Sequence, residues 1–272
     1  MALSLPFALA QAADIVPTRS VTANGMTVLF LEQHFLPTVE IHALVKVGSA
    51  QDPPDKAGLA NLTASLLDEG TLTRTSRQIA EQIDFVGGSL EAHAAEDFTT
   101  ASTRVLKKDA DLGFALLADM LQHPAFHKQE FERVRTQILG EIVSDDDDPG
   151  NVAMKAFHQL IFHGHPYSWP AHGTEETLNK ITVADIQQFH AREYLPNQTI
   201  LVIVGDLTQD QAAALVQTHF GSWKKGPPSP YQIKKPASIE RKMVQLIEKD
   251  LTQSTIVLGH TGISRTNPDY YA

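Results

Sequence analysis

Residues 46–71 read KVGSAQDPPDKAGLANLTASLLDEGT. Pro53 and Pro54 end an extended run, Asp55 is placed to cap a helix, and Gly70 is placed to stop it. At about 100° per residue, Leu59, Leu62 and Leu66 fall on one side of that helix, while Asn61, Ala64, Ser65 and Asp68 gather on the other. The leucines are core-facing, and the opposite face is small and polar. Side chains four apart share a helix face, so positions 61 and 65 could present two ligands to one ion. Here they carry an amide and a hydroxyl, weak donors beside imidazole, and Ala64 brings no carboxylate for proton transfer. Taken alone, the segment is an ordinary amphipathic helix.

Outward from this helix the pattern alternates between strands and helices. Asn24-Gly25 is a turn, and TVLFLE (residues 27–32) and TVEIHALVKVGS (38–49), parted by Pro37, read as two strands of a hairpin. A helix is expected over Ser76 to Phe85, ending at Gly87-Gly88, and SLEAHAAED and FTTASTRVL are two further strands. Helical periodicity then runs through DADLGFALLADMLQ, through Lys128 to Val143 and through Asn151 to Phe162, with Asp145–Asp148 and Pro149 as an interruption. A short helix near Glu175–Asn179 precedes ITVADIQQFHAREY, capped by Thr182. LPNQTILVIVGDL is an apolar strand, and Thr208–Phe220 is a last helix.

Composition bounds the function. The chain has 272 residues, 42% of them hydrophobic, enough for a sizeable core. With 22 basic and 32 acidic side chains the net charge is −10, and no Lys/Arg cluster is interleaved with aromatics, so nucleic acid is not an expected partner. The absence of cysteine excludes disulfides, thiolate metal sites and cysteine nucleophiles. No apolar run reaches the roughly 18 residues of a membrane span. MALSLPFALAQAAD has the apolar core and small-x-small triplets of a secretory signal but lacks a basic start, which points to a periplasmic or secreted bacterial protein with an incomplete signal peptide.

Several segments together resemble the pitrilysin/insulinase family of zinc peptidases, most closely its mitochondrial-processing-peptidase-like branch. Residues 46–71 are similar to the family's G-S-x-x-E-x-x-x-x-x-G-L-A-H-x-x-E-H-x-x-F-x-G-T, but Asn61, Leu62, Thr63, Ala64 and Ser65 stand in place of H-x-x-E-H. ERVRTQILGEIVSDDDDP (132–149) resembles the helix that bears the third zinc ligand. HPYSWPAHGTEETLNKIT (165–182) resembles H-P-Y-x-x-P-x-x-G-T-x-E-x-I, and PNQTILVIVGDL (196–207) resembles P-N-x-x-x-L-V-V-V-G-D.

The resemblance implies an α+β fold, an antiparallel sheet with helices packed on one face, forming one half of a two-half subunit. The expected divisions are a signal-like or disordered tail over 1–19, the peptidase-like domain over 20–225, a proline-rich linker over 226–236, and over 237–272 the start of a second homologous domain whose remainder lies beyond Ala272. In that start, KMVQLIEKD and STIVLGHTGI read as strands. Carried over by residue, the ligand and base positions fall on Asn61, Ala64, Ser65 and Glu141, so no catalytic residue and no bound metal are expected in this chain. Zinc is expected only in a homologous H-x-x-E-H-bearing partner. The family also has paired subunits in which one chain supplies zinc and the other an Arg/Tyr pair in its second half, a region beyond Ala272. GGSLEAHAAEDFTT resembles the family strand to which extended peptides pair, which puts a peptide-binding edge at Glu91, Ala92, His93 and Ala94, with Glu91 and Ala94 replacing the family's Asn and Thr. The implied function is a zinc-free, inactive subunit of a heterodimeric metallopeptidase that holds an extended peptide or unfolded polypeptide. The alternative is a scaffold or interaction protein with no proteolytic role.

Other constellations are weaker. His158, His163, His165 and His172 cluster in sequence without a carboxylate at zinc-site spacing, and the loop that carries them is accounted for as structure. Asp145–Asp148 lacks the glycine turn and distal glutamate of a calcium loop and reads as a solvated helix end. Neither a phosphate loop nor G-x-S-x-G is present.

Overall fold

The computed structural model describes residues 16–227, 233, 235–239 and 241–272. The signal-like stretch therefore lies largely outside the described residues, as does much of the linker. Six strands, β1 (Thr18–Val21), β2 (Thr27–Glu32), β3 (Thr38–Val45), β4 (Ser89–Ala94), β5 (Thr99–Leu106) and β6 (Thr199–Gly205), form one sheet in the order β1-β2-β6-β3-β5-β4. Among the described residues the helices are α1 (Leu59–Ala64), α2 (Ser76–Phe85), α3 (Ala110–Gln122), α4 (Lys128–Asp147), α5 (Pro149–Ile161), α6 (Glu175–Leu178), α7 (Val183–Glu193) and α8 (Gln209–Phe220). The fold is α+β, with the helices packed on one face of the sheet.

β2 and β3 do not form the expected hairpin. β6 lies between them, parallel to β2 (Phe30 beside Ile203) and antiparallel to β3 (Ile41 beside Ile203), while every other pairing is antiparallel. The connection has no two-residue turn of the Asn-Gly kind. It spans two interstrand spacings, about 10 Å, over the end of the intruding strand. β6 suits the middle position because TILVIVG is apolar on both faces. β1 begins at Thr18, so the last two residues of the expected tail belong to the sheet.

Strand alternation places the core. Val39, Ile41, Ala43 and Val45 of β3 are fully buried against the helices, with Val28, Phe30, Ala101, Leu201 and Ile203 beside them, and the intervening positions are half-buried. α3 contributes Phe114, Leu117 and Leu121 to the same cluster, α7 contributes Ile186 and Phe189, and α8 contributes Val216 and Phe220. Gly25 takes φ +88° at the β1–β2 turn. Asn24 Nδ2 donates to the carbonyls of Phe220 and Trp223 at 2.8 and 3.0 Å, fastening that turn to the end of α8.

Residues 241–272 depart from expectation. KMVQLIEKD and STIVLGHTGI form no strand, and Val244, Ile256 and Leu258 are 91, 86 and 95% exposed. Their alternation is that of a strand, but a strand requires a hydrogen-bonding neighbour, and none lies beside them among the described residues.

Candidate functional site: a peptidase frame without its ligands

The helix that decides the reading is shorter than its sequence suggests. Pro54–Lys56 makes a single 3₁₀ turn, Gly58 takes φ +96°, and regular α-helix is confined to Leu59–Ala64. At Gly58 a Cβ would lie 2.7 Å from the His172 carbonyl oxygen, so glycine meets both a left-handed backbone and a close approach by the 165–173 loop. Beyond Ala64 the chain tightens, with Leu66 and Leu67 N–H groups donating to Thr63 and Ala64 carbonyls three residues back.

The cap is Asp52 rather than Asp55. Its two carboxylate oxygens accept from the N–H groups of Gly58 and Ala60, each at 2.9 Å, from a position only 5% exposed. A buried helix start otherwise leaves such donors unpaired. Burial pushes the Asp52 carboxyl up to about 7, against the pull of the Ala60, Gly58 and Leu59 N–H groups. Sequence reading missed this residue because D-P-P registers as a turn.

The segment after α1 is held by a second buried carboxylate. Asp119 Oδ2 accepts from Thr71 Oγ1, Thr73 Oγ1 and Arg74 Nη1 at 2.7, 2.8 and 2.6 Å. Burial alone would raise this carboxyl, but the Thr71, Thr73 and Arg74 hydrogen bonds outweigh it and hold it below the usual carboxylate range. Glu69 accepts from Ser76 Oγ at 3.0 Å and pairs with Arg133 of α4 at 2.5 Å, tying the same segment to the long helix.

Of the positions carried over from the resemblance, three lie on or at the end of α1 and one lies on α4. Asn61 on α1 and Ser65 just after its end are half-exposed, and Ala64 is fully buried. Glu141 is exposed on α4 and accepts from Gln137 Nε2 at 3.0 Å. Beside them Asp68 occupies the site of the family's phenylalanine. Burial, and then the Glu69 carboxylate, push its carboxyl up to about 6, while Arg133 and His93 pull the other way. α1 packs along β4, whose only strand partner among the described residues is β5, so β4 is a sheet edge. Glu91 and His93 are exposed with their side chains 3.5 Å apart, and Ala92 and Ala94 pack against the core.

The histidine loop is structural. His165 is buried, its Nδ1 accepting from the Tyr167 N–H at 3.2 Å, and Tyr167 Oη donates to Asp97 Oδ1 in the β4–β5 turn at 2.6 Å. His158 and His172 border a cleft of about 210 Å³ with Asp145, Asp146 and Trp169. Among the described residues no three His, Asp or Glu side chains converge as a metal site. α4 runs through Asp147, and Asp148 Oδ1 accepts from the Asn151 N–H at 2.9 Å to cap α5, so the aspartate run is a helix end followed by a cap.

Comparison with known proteins accords with this frame. The description "Insulinase (Peptidase family M16)" matches residues 27–175, more than half of the chain, and "Peptidase M16 inactive domain" matches residues 180–272. Proteins named uncharacterized zinc protease are similar: one from Rickettsia bellii is 29% identical over 90% of this chain and 58% of its own length. Another, from Mycobacterium tuberculosis, is 33% identical over 78% of this chain and 48% of its own. The chain thus spans about half the length of the curated relatives it matches. The crystal structure of a peptidase M16 inactive domain from Pseudomonas fluorescens superposes with a TM-score of 0.77 at 28% identity, covering 81% of this chain and 54% of that one. The periplasmic protease PqqL from Escherichia coli shares the fold, with a TM-score of 0.76 at 18% identity over 83% of this chain and 26% of that one. The relatives' names imply zinc, yet the donors here are an amide, a hydroxyl and one exposed carboxylate, and the base position is a buried methyl group. That set does not fit a catalytic zinc ion, which requires imidazole or thiolate ligands and a base for its water. By its matched length, its motifs and its fold, the chain belongs to the insulinase (M16) peptidase family.

Proposed function

We propose that this chain is a zinc-free, catalytically inactive subunit of an M16-type peptidase, forming half of a peptide-binding chamber with a homologous partner that bears H-x-x-E-H. The observation that supports it is the pairing of an intact frame with absent chemistry. Asp52 still caps α1 and the leucine face is still buried, but Asn61, Ala64 and Ser65 offer neither ligands nor a base. β4 keeps an open edge beside this helix, and main-chain hydrogen bonds at such an edge hold an extended peptide without catalysis. On this reading Glu91, Ala92, His93 and Ala94 are the peptide-binding strand, and the occupant is an unfolded polypeptide. The small-x-small N-terminal sequence supports a periplasmic or secreted location. The test mixes this protein with a homologous H-x-x-E-H-bearing protein of the same organism and follows cleavage of an unfolded polypeptide with and without chelator. Chelator-sensitive cleavage that is enhanced only in the mixture is expected. Absence of both complex and gain would leave a scaffold, and chelator-sensitive cleavage by this chain alone would refute the inactive assignment.

A further inference from the structure

The loop of residues 33–37 carries the chain from β2 over the end of β6 to β3, and its tip is the apolar pair Phe35 and Leu36, 88 and 66% exposed. Backbone bonds hold its two ends, Gln33 N–H to the Gly205 carbonyl at 3.0 Å and Lys107 N–H to the Pro37 carbonyl at 2.8 Å. Between them the hold is a side chain. His34 Nδ1 lies 2.5 Å from Asp206 Oδ1 and its Nε2 lies 2.8 Å from Glu32 Oε1. Lys107 Nζ reaches the same Asp206 oxygen at 2.9 Å.

Both ring nitrogens therefore face carboxylate groups, which in their ionised form only accept hydrogen bonds. A neutral imidazole has one N–H and one lone pair, so it can satisfy one of these partners and sets its lone pair against the other. Only the imidazolium satisfies both. We propose that His34 is a proton-operated clasp, which pins the Phe35–Leu36 tip against the ends of β2 and β6 as the imidazolium and releases it on deprotonation.

The charged groups facing the ring are Glu32 from β2, Asp206 from the segment after β6 and, through Asp206, Lys107 after β5. Hydrogen bonds to Asp206 and then Glu32 raise the His34 pKa above its ordinary value. Lys107, and then His34, lower the Asp206 carboxyl, so that partner stays ionised throughout the window. The clasp is closed below the raised histidine pKa and opens as pH rises through it. Lys107 keeps Asp206 paired after the proton leaves, so the contact released is the one from His34 to Asp206, while the single N–H that remains stays on Glu32.

The test is a two-dimensional NMR titration of the protein between about pH 5.5 and 9, following the His34 ring and the Gln33, Phe35 and Leu36 amides. The expected result is a His34 pKa above about 6.5, with the loop amide shifts titrating at the same midpoint and the exchange protection of the Gln33 amide, bonded to the Gly205 carbonyl, falling several-fold above it. In Glu32→Gln/Asp206→Asn the midpoint should drop to about 6.5 or lower. In His34→Gln the loop amides should show the high-pH behaviour throughout. A wild-type His34 pKa at or below its ordinary value overturns the proposal, and so does a raised pKa that the loop amides do not follow.

Discussion

Two sides of one short helix have different standing in this molecule. The inner side of α1, with its Asp52 cap and the Asp119-held segment that follows, is closed by buried hydrogen bonds and by Leu59, Leu62 and Leu66. The outer side, where the resemblance places ligands and a base, holds Asn61 and Ser65 half in solvent, and Glu141 is exposed on α4. The difference teaches that the residues that build this site and the residues that would react in it are separate sets. The first set is fixed by burial, because a missing partner there orphans a buried donor. In the second set Asn61 and Ser65 are half in solvent and little in the packing resists their replacement, whereas Ala64 is fully buried and admits only a small side chain.

The contrast can be broken most forcefully at the cap. Asp52→Ala orphans the buried N–H groups of Gly58 and Ala60 and should cost about 2–4 kcal/mol in a urea titration. A loss under about 0.5 kcal/mol would mean that the frame does not depend on it. Ala64→Glu comes next, since it places a carboxylate where a methyl group is fully buried; about 1–3 kcal/mol of overpacking is expected, read as a fall in Tm. Tolerance at that position would show that the outer face remains open to a base.

The pH dependence sharpens the comparison with a smaller effect. The folded-state pKa values of Asp52 and Asp68 are raised to about 7 and about 6 from an ordinary 3.8, so between those limits the folded state binds more protons than the unfolded. Their contribution is fully present below the ordinary value and is lost as pH rises through about 6 to 7. Asp52→Asn should remove the upper part of that slope while keeping an acceptor for the cap, as denaturation midpoints at pH 5 and 8 would show. Smallest of all, Asn61→Ala and Ser65→Ala should each shift stability by no more than about 0.5 kcal/mol.

Most of the fold was legible because periodicity and caps were local. Ser76–Phe85 is the helix expected before Gly87-Gly88, and Thr182 accepts the N–H of Asp185 as its position suggests, while Thr75 and Thr208 cap their helices in the same way without having been singled out in the sequence. The order of strands was not legible, since β6 inserts between β2 and β3 from about 160 residues away in sequence and no local signal records that pairing. Asp52 was missed for a related reason: its partners are fixed by a 3₁₀ turn and a left-handed Gly58, which the sequence shows only as a proline pair and a glycine. The apolar alternation of residues 241–272 was read as strand, though alternation records a face and not the presence of a neighbour. At the candidate site the substituted positions were readable directly, because the loss of histidine and glutamate is a matter of residue type.

The central claim, a retained frame with no metal chemistry, is tested most directly by titrating zinc into the chelator-treated protein and measuring bound metal after dialysis. The account predicts no stoichiometric zinc, with unchanged Tm on addition of the metal. One tightly held equivalent that raises Tm and is lost in Asn61→Ala or Glu141→Ala would contradict it.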